Sequence, residues 1–178
     1  MAEKAKPAAG SALSRLKTPT DLGDNAVKDV SAALNGLLAD SYALYFKTKN
    51  FHWHGSGPHF RDYHLMLDDH AADILGATDD IAERVRKLGG QTLKSVNQIA
   101  AMTRVLPNEA AYVEPADMLA ELCEDNQAYV RELRAAHDVC DEAGDVASAS
   151  LIENWLDATE RRVWFLFETL RPALTSGH

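Results

Sequence analysis

Hydrophobic residues recur at helical spacing along most of this chain, and nowhere do they alternate with polar ones in the two-residue rhythm of a strand. Val27, Val30, Leu34, Leu37, Leu38, Ser41 and Tyr45 mark one face of a first helix that starts at Asp24 and runs towards Trp53. Gly55 to Pro58 interrupts it. Ser56 or Gly57 is placed to cap a second helix with Pro58 in its first turn; that helix passes His64, Leu67, Ile74 and Ile81 and stops at Gly89-Gly90. The stretch QTLKSVNQIAAMTRVLPNE holds one short apolar run and reads as a connection carrying a brief helix. Pro115 opens a third long helix, with Met118, Leu119, Leu122, Tyr129, Val130, Leu133 and Val139 on its apolar face and an end near Gly144. A fourth begins about Asp145 and carries Leu151, Ile152, Trp155, Leu156, Val163, Leu166, Phe167 and Leu170 before Pro172.

The pattern predicts an all-α protein: four long helices in an antiparallel bundle, with a short helix in the long connection between the second and third. A crossover of that kind is what a ferritin-like topology requires. Residues 1–22, rich in Ala, Ser, Thr, Pro and Lys and poor in apolar periodicity, read as a flexible basic tail; residues 23–178 form the bundle. At 178 residues and 46% hydrophobic, the chain suits one compact domain with a real core.

The net charge of -9 predicts an acidic surface that repels nucleic acid at long range and favours cations. No stretch approaches the roughly 20 apolar residues a membrane span needs, and the N-terminus lacks the apolar run of a secretory signal, so a cytoplasmic protein is expected. Cys123 and Cys140 lie roughly 25 Å apart along one helix at about 1.5 Å per residue, too far to pair, and read as reduced core thiols.

The second helix concentrates the candidate chemistry. His64 and Asp68 stand one turn apart on one face, and so do Asp79 and Glu83. The 11 residues from Asp68 to Asp79 amount to about 1100°, so both pairs share nearly the same face at levels roughly 16 Å apart. Metal bonds to imidazole and carboxylate are only about 2.0 to 2.2 Å long, so one ion cannot bind both levels of a single chain. It can if a second copy crosses antiparallel, and a two-fold axis then makes two equivalent sites. His52, in the last turn of the first helix, can reach the His64 end across the turn. Imidazoles with carboxylates suit Fe(II), Mn(II) or Zn(II) better than Mg or Ca. The usual di-iron bundle needs Glu-x-x-His on two helices of one chain, and no glutamate here has histidine three residues later. On spacing alone, a solvated stripe or an intersubunit salt-bridge layer stands beside the metal site as an equal reading.

The residues also match a family pattern. NFHWHGSGPHFRDYHLMLDDHAADILGATDDIAERVRKLGG closely resembles the signature of Dps proteins, the DNA-binding proteins from starved cells or mini-ferritins, in His52-Trp53, Gly55, Phe60, His64, Asp68, Asp79, Glu83-Arg84 and Leu88-Gly89-Gly90. RRVWFLFE in the last helix looks like the family's closing Trp-containing segment, so the resemblance spans about residues 24 to 170.

It implies His52, His64 and Asp68 from one subunit and Asp79 and Glu83 from its two-fold mate as iron ligands, with Trp53 beside them to intercept radicals. It further implies a hollow homo-dodecamer that oxidises Fe(II) chiefly with hydrogen peroxide, stores ferric mineral and protects DNA. Some relatives use a Lys-rich tail on DNA; here Lys4, Lys6, Arg15 and Lys17 against Glu3 give residues 1–20 a charge of +3, leaving -12 on the rest. That makes weak, salt-sensitive DNA binding at the nucleoid the second reading.

Asp141, Glu142 and Asp145 cluster at the third-to-fourth helix turn, where relatives place acidic residues around iron-entry pores; a helix-start cap explains Asp145 equally well. His54, His59 and His70 exceed the expected ligand set and read as bystanders, Asp69, Asp73 and Asp80 as a solvated or cavity-facing acidic surface, and Trp155 and Trp164 as helix-interface packing.

Overall fold

A computed structural model describes residues 15–172. Helix α1 spans Asp24–His54, α2 Phe60–Lys87, the short α3 Val96–Met102, α4 Pro115–Glu142 and α5 Val146–Thr169. Helix α1 packs along α2 and α4 along α5; α1 also touches α4 and α3, while α2 and α5 meet sparsely. The result is the expected four-helix bundle, with α3 lying across α1 in the crossover.

The apolar stripes meet as their spacing requires. Leu34, Leu37, Leu44 and Phe51 of α1 face Leu67, Ile74 and Ile81 of α2, Leu119, Leu122 and Leu133 of α4, and Ile152 and Leu166 of α5, all buried. Lys47 is buried too: its ammonium bridges Glu121 at 2.5 Å and Asp125 at 2.6 Å and donates to the Leu106 carbonyl, tying α1 to α4 and to the crossover. Arg104 joins Asp40 of α1 to Glu132 of α4 in the same way.

Helix α2 starts later than the sequence suggests. Its N-cap is His59 and its first residue Phe60, while Gly57 takes φ +93° and its carbonyl accepts from the Phe60 N–H at 3.1 Å. Pro58 therefore belongs to the turn rather than the helix. At the other end, Gly89 has φ +83°, and the N–H groups of Gly89 and Gly90 donate to Arg86 and Val85 carbonyls, each at 3.0 Å. A Cβ on Gly89 would lie 2.8 Å from the Thr18 carbonyl oxygen, so glycine is needed for the close approach as well as the angle.

That approach revises the tail. The Thr18 hydroxyl donates to the Arg86 carbonyl at 2.8 Å and Arg86 donates to the Leu16 carbonyl, so residues 16–18 lie against the end of α2. Residues 1–14, with Lys4 and Lys6, lie outside the described residues.

The middle of the bundle holds a buried cation that the sequence reading passed over. Arg162 of α5 is 3% exposed; it donates to Asp73 of α2 at 2.6 Å, Asn126 of α4 at 3.0 Å and Thr159 at 2.7 Å. Nearby, the Tyr129 and Ser41 hydroxyls lie 2.7 Å apart, and burial pushes the Tyr129 hydroxyl up to about 12.

Candidate metal centre

The last turn of α1 and the first turns of α2 are antiparallel neighbours across a short turn, and this sets His52 against His64. The two rings stack with centroids 3.7 Å apart and planes 21° from parallel. Each Nδ1 lies near the other residue's backbone carbonyl, His52 at 2.8 Å from the His64 oxygen and His64 at 3.0 Å from the His52 oxygen. A carbonyl only accepts, so each Nδ1 carries a proton in these bonds, and in the neutral ring Nε2 is the nitrogen that holds the free lone pair. Both imidazoles are thus fixed in the tautomer that binds metal through Nε2, with the orienting hydrogen bond already made.

Asp68, one turn beyond His64, brings a carboxylate oxygen 4.0 Å from His52 Nε2. The same oxygen accepts from Lys49 Nζ at 2.6 Å. Lys49, through that hydrogen bond and its charge, holds the Asp68 carboxyl below its ordinary value, so it stays ionised. The ammonium also sits 5.9 Å from the Trp53 ring centre, and Trp53 meets Phe46 edge-on at 6.1 Å. Trp53 is 55% exposed.

Asp79 and Glu83 are far from this cluster. Both are exposed on α2, and Glu83 pairs with Lys87 at 3.1 Å. Among the described residues of the single chain, no three His, Cys, Asp or Glu side chains converge as a metal-holding group. One chain therefore presents two incomplete donor sets on one face, the nitrogen-rich end at His52, His64 and Asp68 and a carboxylate pair at Asp79 and Glu83.

Comparison with known proteins bears on this arrangement. A family model described as a ferritin-like domain matches residues 31–172. A DNA protection during starvation protein of Brevibacillus brevis is 34% identical over 140 residues, covering 77% of this chain and 91% of its own length. The chain belongs to the Dps family of ferritin-like proteins. An uncharacterized low temperature-induced protein of Nostoc is 33% identical over 146 residues, 82% of each chain. Among solved structures, DpsC from Streptomyces coelicolor superposes with a TM-score of 0.86 at 30% identity, covering 90% of this chain and 94% of that one.

Within this Dps chain, other candidates are placed less simply. Asp145 is not an open pore residue: it is 4% exposed, caps α5 by accepting from the Ser148 N–H at 3.1 Å, and pairs with Arg84 at 2.5 Å. Its carboxylate is consumed by the α4–α5 turn, whereas Asp141 and Glu142 are exposed. Arg15 is exposed, and Lys17 lies 3.4 Å from Asp24, which offsets its charge.

His54 and His59 are exposed as expected, but His70 is 9% exposed against Phe165, and burial together with Arg162 lowers it to about 4. Asp73 proves to be the partner of Arg162 rather than a solvated acid. Trp155 is buried in the core, whereas Trp164 is 59% exposed and meets the Phe165 ring of its own helix. Both cysteines are free and buried, and burial pushes the Cys140 thiol up to about 11. No helix among the described residues is long and apolar enough to cross a membrane.

Proposed function

We propose that this Dps protein oxidises Fe(II) with hydrogen peroxide at centres shared between two subunits, and stores the ferric product inside a hollow homo-dodecamer in the cytoplasm. The observation that carries this reading is the reciprocal His52–His64 clamp, which engages each Nδ1 with a carbonyl, leaves each Nε2 without one, and sets His52 Nε2 4.0 Å from Asp68. That geometry supplies half a ligand set and suits borderline divalent ions; Zn(II) or Mn(II) would bind the same donors. The other half, Asp79 and Glu83, is roughly 16 Å along α2 and reaches the clamp only from a second copy related by a two-fold axis.

Iron is the substrate here. Two Fe(II) ions each give up one electron, the O–O bond of one peroxide breaks, and with two protons taken up the oxygens leave as two waters. Delivering both electrons in one place avoids release of hydroxyl radical. The carboxylates favour the harder ferric product, His52 and His64 hold Fe(II) before oxidation, and the exposed Trp53 beside the clamp is placed to intercept a stray radical. Asp141 and Glu142 serve as acidic residues at the iron-entry end.

Association with DNA through the basic tail, at the nucleoid, is the second reading, favoured by the named function of the Brevibacillus brevis relative. Lys4, Lys6 and Arg15 would supply the contacts, with Lys17 weakened by Asp24. Affinity would be low and salt-sensitive because the remaining charge is -12.

Anaerobic loading with Fe(II) followed by peroxide, with particle mass measured in parallel, tests the main reading. The expected result is about two Fe(II) oxidised per peroxide, iron retained in a twelve-subunit particle, and loss of the fast phase in a His64→Ala, Asp68→Ala double variant. If the double variant matches the parent, or the parent neither consumes peroxide nor retains iron, the reading fails.

A further inference from the structure

A second donor group lies on the opposite side of α2. At about 100° per residue, Met66 and His70 point roughly half a turn round the helix from Asp68, away from the clamp and towards α5. There they line a cleft of about 480 Å³ with Asp69, Arg161 and Phe165. Met66 and His70 are one helical turn apart, so thioether and imidazole share one wall. Neither the iron centre nor the core network uses them.

We propose that this cleft is a soft-metal site that takes Cu(I), held by the Met66 thioether and the His70 imidazole. The position of both donors is set from outside the pair. Met66 Sδ packs 3.6 Å from the Thr169 hydroxyl, whose proton goes to the Phe165 carbonyl at 2.7 Å, and the Phe165 ring meets the imidazole edge-on with centroids 6.2 Å apart. His70 is 9% exposed, so its ring is held by packing while still lining the cleft.

Softness and charge both select the ion. A thioether is a soft ligand that favours Cu(I), whereas Fe(II), Mn(II) and Mg prefer oxygen. The formal charges around the cleft cancel: Arg162 lies 2.6 Å and Arg161 3.5 Å from Asp73, and Asp69 stands at the rim. A monovalent ion enters such a site without net repulsion, while a divalent ion lacks the surplus carboxylate that it has at the clamp. The two faces of α2 thus sort metals, hard and borderline ions to Asp68, Asp79 and Glu83 and a soft ion to Met66 and His70.

The test is anaerobic Cu(I) titration of the metal-free, full-length protein against a colorimetric Cu(I) chelator. Four proteins are compared: the parent, Met66→Leu, His70→Gln and the His64→Ala, Asp68→Ala double variant. Leucine nearly conserves the volume of methionine, so the fold of Met66→Leu is retained, and particle mass checks this. The expected result is one Cu(I) per chain in the parent and the double variant, with affinity lower by roughly tenfold or more in Met66→Leu and in His70→Gln. X-ray absorption on the loaded parent should show a sulfur neighbour that Met66→Leu lacks. Cu(I) affinity unchanged in Met66→Leu, a sulfur neighbour persisting there, or binding lost only in the double variant would overturn the proposal.

Discussion

His52 and His64 each bond the other's backbone carbonyl through Nδ1, so the metal-binding tautomer of one ring depends on the backbone position of the other. Removing either ring therefore does two things: it deletes a donor and it releases the end of the α1–α2 hairpin. His64→Ala should weaken Co(II) or Zn(II) binding by roughly 10- to 100-fold while leaving the bundle's helical content unchanged. Metal titration together with circular dichroism distinguishes this from misfolding, which would lower both.

On the proposed reading Lys49 competes with a metal for Asp68, since its ammonium is 2.6 Å from the carboxylate oxygen that faces His52. Lys49→Met should raise Asp68 towards the ordinary carboxyl value and improve divalent-metal affinity by roughly fivefold, a modest gain because the pair is open to solvent. Carboxyl NMR titration reads the first effect and calorimetry the second; unchanged values in both would remove Lys49 from the account of the site.

Burial of neutral His70 makes stability depend on pH with a definite sign. Its folded value of about 4 lies below the ordinary 6.5, so between these limits the unfolded chain binds a proton that the folded chain refuses. Stability is complete above about pH 6.5 and declines as pH falls towards 4, by about 3 kcal/mol per chain at most. His70→Leu should flatten this component, measured as the difference in urea midpoint between pH 7 and pH 5 relative to the parent.

The buried guanidinium of Arg162 predicts unequal costs for removing the two members of its pair. Asp73→Ala leaves a cation enclosed with only Asn126 and Thr159 and should cost about 3 kcal/mol. Arg162→Met leaves Asp73 partly exposed beside Arg161 and should cost about 1 kcal/mol. Urea denaturation of the two variants at one protein concentration compares them; equal losses would contradict the reasoning.

Much of this was legible in the chain itself. The 3.6-residue rhythm located four long helices, and Gly89, Gly144 and Pro115 marked their ends, because left-handed glycine and N-terminal proline act locally. The start of α2 was misjudged for the same reason that glycine is useful: with φ +93°, Gly57 closes a turn that holds Pro58 outside the helix. The shared face of His64, Asp68, Asp79 and Glu83 on α2 was readable, but the burial of His70 and Arg162 was not. Their burial depends on α4 and α5 lying beside α2, and no local pattern distinguishes such a residue from one facing water. The sole hint was the pair Arg161-Arg162 inside an otherwise apolar face. For Asp145 the sequence offered a pore acid and a helix-start cap equally; the cap is present, and Arg84, 61 residues away in sequence, lies against it.

The central claim is that each metal centre needs two chains, and a mixing experiment tests it most directly. A His64→Ala, Asp68→Ala variant and an Asp79→Ala, Glu83→Ala variant are each made alone and then co-assembled in equal amounts, and the peroxide-driven Fe(II) oxidation rate is measured. Each variant alone should be inactive. In co-assembled particles half of the dimers pair unlike chains, and each such dimer regains one intact centre and loses the other, so about a quarter of parental activity should return. If the mixture stays as inactive as its components, the five ligands do not meet across a two-fold axis, and the shared-centre account is wrong.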